Sequence, residues 1–411
     1  MRPYHGIRDR ILGIVDTTPS ALFPTDEPLP PKHLIGRADD VAEIANSLKL
    51  GSNVVLSAPR RTGKTTVADA ALAELAQDPG VYVVAIDLFS MDGTDQLADA
   101  LIGATMSVRP ALRKAIRTAT QAGRTIYESI GLTFGARLVG TGDLDGIEIG
   151  VLPTLRNDPR KHLDYALNLP EKIAATDGKR LVLFIDEFQA VQRICENASR
   201  GGATVLKQQM RAAFQRSRHV SFLFAGSLEH MMGDLFGNKS EPFFSFGGFH
   251  SLRPITEDEW RAGITARLKL VTVTANDAAL DMLIEAGEGH PRATMLLCQQ
   301  AYEMALLAGA PQIDAGIAAL AYDRALRVEK PRHEQIVLGI QHIGTRAVSR
   351  LALRAVSIIA NGGRPYTLAK HPAEVARTLA ALRDAGIIDQ PDGTWRVADP
   401  LFAEYLRRLR R

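Results

Sequence analysis

Residues 52–66 read SNVVLSAPRRTGKTT, a short apolar and β-branched run followed by a loop that opens a helix-patterned segment. This order constrains the fold more than anything else in the chain. A loop that leaves a buried strand and enters the first turn of a helix points successive backbone N–H groups at one spot, and that spot attracts phosphate. Ala58, Pro59, Arg60, Arg61, Thr62, Gly63, Lys64, Thr65 and Thr66 form the loop and the helix start. Lys64 is placed to reach β- and γ-phosphate oxygens, and the Thr65 hydroxyl to ligate Mg²⁺. Ala58 stands where such Walker A loops usually carry glycine; being small, it is expected to be tolerated.

The strand pattern returns at VYVVAIDLF (81–89), RLVLFIDEF (180–188) and HVSFLFAGS (219–227), with helix-patterned stretches between. Continuous apolar strands separated by helices predict an α/β fold whose parallel sheet is covered on both faces. The second of these strands ends in two carboxylates, as a Walker B strand does. Asp186 is the candidate metal ligand and Glu187 the candidate general base. The third ends in Ser227, which fits either a sensor of the γ-phosphate or the cap of the next helix.

A chain of 411 residues, 46% hydrophobic and 23% charged, has length for two or three globular domains. Residues 1–31 end in a proline-rich stretch and read as an extended lead-in. Residues 32–256 are expected to hold the sheet core, with an insertion at about 98–170 that includes RLVGTGDLDGIEIGVL. Three helical segments follow in 257–335 as a lid, 331–344 resembles a connector, and 336–411 carries two helices and a GTWRV strand in winged-helix order. Basic charge gathers at this end, with twelve Lys or Arg against six Asp or Glu between 341 and 411. Cys195 and Cys298 have neither disulfide-framework nor zinc spacing. No apolar run approaches the roughly 18 residues of a membrane span, so a cytoplasmic protein is expected.

Gly289, His290, Pro291 and Arg292 open a helix in the lid. Arg292 is a candidate second phosphate sensor, its alternative being a solvated charge beside a first-turn proline, and His290 reads as structural. Asn238-Lys239-Ser240-Glu241 lacks the aspartate of a guanine-reading motif and follows no strand, which favours ATP over GTP.

Taken together, IGR (35–37), APRRTGKTT (58–66), IDEFQ (185–189), FAGS (224–227), GHPRA (289–293) and VADPLFAEYLRR (397–408) resemble the archaeal-type predicted ATPases, a P-loop family of AAA+ or STAND affiliation. The resemblance covers most of 32–411. It implies ATP and Mg²⁺ as ligands, Ile35, Gly36 and Arg37 near the adenine, Ser227 and Arg292 as sensors, and a C-terminal winged helix. SFGGFHSLRPI lacks the Gly-Arg pair common in relatives, so no arginine finger is assigned; Arg253 and Lys239 are the nearest basic residues. Arg364, Lys370, His371, Arg377 and Arg396 would lie where a winged helix meets DNA phosphates. Two functions follow: an oligomerising ATPase acting on DNA or a DNA-bound assembly, or a STAND-like switch that hydrolyses slowly and signals through a protein partner.

Overall fold

The computed structural model describes residues 17–25, 29, 34–58, 62–109, 158–197, 202–368, 372–390 and 393–409. The expectations for Pro59, Arg60, Arg61, Lys370, His371 and the RLVGTGDLDGIEIGVL pair lie outside these residues. The chain divides into two compact units: Asp40–Ala58 with Val67–Leu252, and Met1–Asp39 with Pro59–Thr66 and Arg253–Arg411.

The first unit is built on a five-stranded parallel sheet. Its strands are β1 (Val54–Ser57), β2 (Val81–Asp87), β3 (Arg180–Asp186), β4 (Val220–Gly226) and β5 (Gly248–Ser251), in the order β2-β3-β4-β1-β5. β1 and β4 are buried along their whole length, which is why both read as unbroken apolar runs. β5 was not expected from the sequence. It is a short, largely exposed edge strand containing glycine and histidine, and its pairing with β1 defines it rather than any apolar pattern. Helices α2 (Ala38–Lys49), α3 (Lys64–Leu75), α4 (Thr94–Met106), α5 (Pro159–Asp177), α6 (Val191–Asn197), α7 (Gly202–Arg216) and α8 (Glu229–Gly237) complete the order. Leu101 and Ile102 of α4, with Leu163 and Leu167 of α5, are buried in the sheet's core cluster. Both described ends of the expected insertion therefore belong to the core.

Phe222 and Phe224 alternate onto one face of β4, where Phe188, Phe214, Phe236, Phe243 and Phe246 gather around them. Phe224 lies 4.7 Å from Phe188 and 5.0 Å from Phe236, centroid to centroid. Aromatic burial on this scale anchors the turn after β3, because Phe188 directly follows Glu187. Phe224→Ala is expected to lower stability by about 3–5 kcal/mol, read from denaturant unfolding.

The second unit is mostly helical. α9 (Glu257–Lys269), α10 (Asp277–Gly287) and α11 (Pro291–Ala308) match the three expected lid helices, and β6 (Thr274–Ala275), before α10, pairs with β7 (Gln312–Ile313), which follows α11. α9 begins with a reciprocal cap between Thr256 and Glu259. The lead-in expectation is corrected here. α1 (Pro19–Leu22) is ordered, and Leu22 and Phe23 are buried in the helical core, with Arg267 donating to the Leu22 carbonyl. The connector expected at 331–344 is also corrected. α12 (Ala315–Gln341) runs straight through Pro331, which removes a backbone donor but is outweighed by the packing of neighbouring Glu329, His333 and Ile340. α13 (Arg346–Ala360), α14 (Pro372–Asp384), an antiparallel pair of β8 (Ile388–Asp389) with β9 (Arg396–Val397), and α15 (Pro400–Arg408) share one apolar cluster with Ile340.

Both cysteines are free and buried; burial pushes the Cys195 thiol up to about 11 and Cys298 to about 12, so both stay protonated at neutral pH. Among the described residues, no helix is long and apolar enough to cross a membrane.

Candidate functional site

β1 delivers the chain to the loop, and Lys64 is the first residue of α3. Gly63 has φ 92°, a backbone region that needs glycine, and a Cβ there would touch nothing within 4 Å. The requirement is conformational, not spatial. Ala58, by contrast, is buried and has no positive φ, which explains why alanine serves at this position. Lys64 is buried, while Thr62, Gly63, Thr65 and Thr66 are half-buried.

Within the same unit as the loop, the IGR segment has a clear structural role. Arg37 is buried and donates to the carbonyls of Arg253 and Thr62, the latter at 3.3 Å. Arg253 in turn donates to the Gly36 carbonyl at 3.2 Å and forks onto the Glu259 carboxylate. Gly36 sits at φ 60° with a virtual Cβ 2.8 Å from both Glu259 and Ile255, so any side chain would be strained and crowded. Ile35 is buried in the helical core. Arg253, one of the two basic residues weighed as a finger, is thus engaged within its own chain.

The Arg253 guanidinium, then the Thr256 cap, hold the Glu259 carboxyl down at about 2. Because the folded value lies below the unfolded one, this pairing stabilises above about pH 4.5 and is lost as pH falls toward about 2. Arg253 is more than a third exposed, so screening reduces the contribution to about 1 kcal/mol. Glu259→Gln is expected to remove that acid-side loss, and thermal midpoints at pH 5 and pH 2.5 for both proteins would show it.

Asp186 ends β3, and Glu187 begins the turn that follows. β4 lies between β3 and β1, with Ile185 opposite Phe224 and Ser57 opposite Gly226, so the carboxyl ends of the three strands stand side by side. Ligands of open α/β sheets bind at this edge. Asp186 accepts from the Glu187 N–H at 2.9 Å. Glu187 adopts φ 50° and ψ 43°, left-handed for a residue with a side chain, a conformation worth about 1–2 kcal/mol of strain. The Ser227 hydroxyl donates to Glu187 Oε2 at 2.8 Å, and Gln189 Nε2 donates to the same oxygen and lies 3.3 Å from the Ser227 hydroxyl. Ser227 is not the next helix's cap, which is Leu228. The serine reaches the turn after β3 instead. In the sequence Gln189 is the last residue of the IDEFQ string, with no role of its own assigned there.

Arg292 is found in a buried, two-pronged ion pair with Glu329 of α12, at 2.9 and 3.0 Å. It is not a solvated charge. Arg332 bridges Glu329 to Asp399, the N-cap of α15. His290 caps α11, its Nδ1 accepting from the Ala293 N–H at 3.2 Å, and burial keeps the ring neutral. Glu329, His333 and Asp399 lie close enough to hold a cation, yet both carboxylates already pair with arginine, so the group is an ion-pair network.

No protein-family model and no curated protein sequence matches the chain. Solved structures do. The Walker-type ATPase paby2304 of Pyrococcus abyssi superposes with a TM-score of 0.62 at 18% identity, covering 94% of this chain and 99% of that one. The chain has a P-loop NTPase fold. The ORC2 protein of Aeropyrum pernix, described in ADPNP–ADP complexes, gives a TM-score of 0.51 at 17% identity, with 94% and 96% covered. Each comparison covers residues of both the sheet unit and the helical unit.

Proposed function

We propose that this P-loop chain is a cytoplasmic ATPase that binds ATP with Mg²⁺, hydrolyses it, and acts on DNA through its C-terminal region, assembling with further copies of itself. The observation that carries hydrolysis is Glu187: a carboxylate at the carboxyl end of β3, separated by β4 from the strand feeding the loop, with one oxygen fixed by Ser227. The fold neighbour described with ADPNP and ADP supports an adenine nucleotide.

In this reading the loop N–H groups and Lys64 bind the β- and γ-phosphates, and Ile35, Gly36 and Arg37 border the base. Thr65 and Asp186 offer the hard oxygen donors that suit Mg²⁺, which supplies charge neutralisation at the phosphates when bound. Glu187 takes a proton from a water as the water oxygen bonds to the γ-phosphorus. The bond from that phosphorus to the bridging oxygen breaks, releasing ADP and inorganic phosphate, and the proton passes on to solvent. Arg292 would serve as second sensor only after leaving Glu329.

Two surfaces support a polyanionic partner. Arg364 and Arg377 are exposed in the C-terminal segment that holds α13, α14 and the β8–β9 pair, in this reading a winged helix. In the sheet unit, an open groove of about 770 Å³ is lined by Arg160, Lys161, Lys172 and Arg216 against Asp164 alone. Steady-state ATP hydrolysis with and without duplex DNA tests the whole reading. DNA affinity should fall with salt, at a log–log slope of about 0.9 per phosphate contacted, and Arg364→Glu with Arg377→Glu should weaken it about tenfold or more. Absent or salt-independent binding would point to the slow switch with a protein partner.

A further inference from the structure

We propose that Gln189 is a positioning residue for hydrolysis, holding one oxygen of Glu187 so that the other, Oε1, receives the proton of the attacking water. This rests on Glu187 being the general base, as argued above.

Gln189 is buried, and its amide does nothing else visible. Nε2 donates to Glu187 Oε2 and lies 3.3 Å from the Ser227 hydroxyl, whereas Oε1 is buried without a hydrogen-bond partner. An unsatisfied buried carbonyl costs about 1–3 kcal/mol, and a side chain present only to fill space would not carry it. The amide is kept where it is by Glu187: turned the other way, its carbonyl would face a carboxylate. Room for it comes from Gly226, where a Cβ would stand 2.6 Å from the Gln189 carbonyl oxygen and 2.4 Å from the Met232 sulfur.

The result is an asymmetric base. Glu187 Oε2 accepts from two side-chain donors, while Oε1 has no partner among the described residues. Its backbone is locked as well, in the left-handed region and against a turn whose Phe188 is packed 4.7 Å from Phe224. A carboxylate with one oxygen pinned cannot rotate away from its task, and the free oxygen takes the water proton while the water oxygen bonds to phosphorus and the bridging oxygen leaves with ADP.

The test uses the full chain carrying Gln189→Met, which keeps length and bulk but donates nothing. Its affinity for ATP-Mg²⁺ should stay within about threefold of native, and kcat should fall about 10- to 100-fold, part of the range general-base catalysis spans. A residue that served only the packing of the turn would lower stability and leave kcat per folded molecule unchanged. Gln189→Glu keeps the side-chain shape and serves if the methionine variant fails to fold; it sets a second carboxylate against Oε2 and should likewise lower kcat with ATP affinity kept. Native kcat in the folded variant would overturn the proposal. The base assignment is checked separately by Glu187→Gln. If that variant hydrolyses ATP normally, both ideas fall; if it is inactive while Gln189→Met behaves as native, only the role of Gln189 falls.

Discussion

Glu187→Gln should bind ATP as tightly as the native chain and turn it over about 10²–10⁴ times more slowly. The amide has the shape of the carboxylate and can keep an oxygen toward Ser227 and Gln189, so the turn after β3 should survive the change. What it loses is the capacity to accept a proton. Single-turnover phosphate release beside equilibrium binding of a fluorescent ATP analogue separates the two effects. Lys64→Ala is the complementary variant: with the ammonium gone from the start of α3, nucleotide binding itself should fail. Undiminished turnover in both variants would mean that the phosphate is handled elsewhere in the molecule.

Glu329→Ala should destabilise the helical unit by about 3–5 kcal/mol, the cost of leaving a buried partner charge uncompensated. Arg292 loses both hydrogen bonds, Arg332 loses one of its two acidic partners, and the link from α11 through α12 to the cap of α15 is cut. Denaturant unfolding should show the loss, and the double variant Arg292→Met with Glu329→Leu should recover much of it, because an apolar pair of similar volume removes both charges together. If Glu329→Ala unfolds like the native chain, the pair is energetically idle in this fold. ATP affinity of Arg292→Ala, measured alongside, reports whether the arginine also leaves its partner to meet nucleotide.

What could be read from the sequence was what neighbours in the chain encode. β1, the loop, and the start of α3 lie in one short stretch, and the hydrophobic run of β3 ends on Asp186 and Glu187 without interruption. The three lid helices were legible for the same reason: each carries its own periodicity and its own start signal, such as Asn276 before α10 and His290 with Pro291 before α11.

Other features depend on residues the chain brings together from afar. β5 exists because β1 offers it an edge, and α12 passes through Pro331 because packing around it outweighs one lost backbone bond. Arg292 meets Glu329 across 37 positions, which turned a sensor or surface charge on paper into a buried ion pair. Ser227 and Glu187 meet across 40, and only their meeting sets a second donor beside Gln189 on the same carboxylate oxygen. The sequence alone determined where strand, loop and helix start fall, since these are set by local backbone preference. Tertiary structure decided which oxygen of Glu187 is held by Ser227 and which charges are buried, since side-chain pairing depends on distances that no local pattern contains.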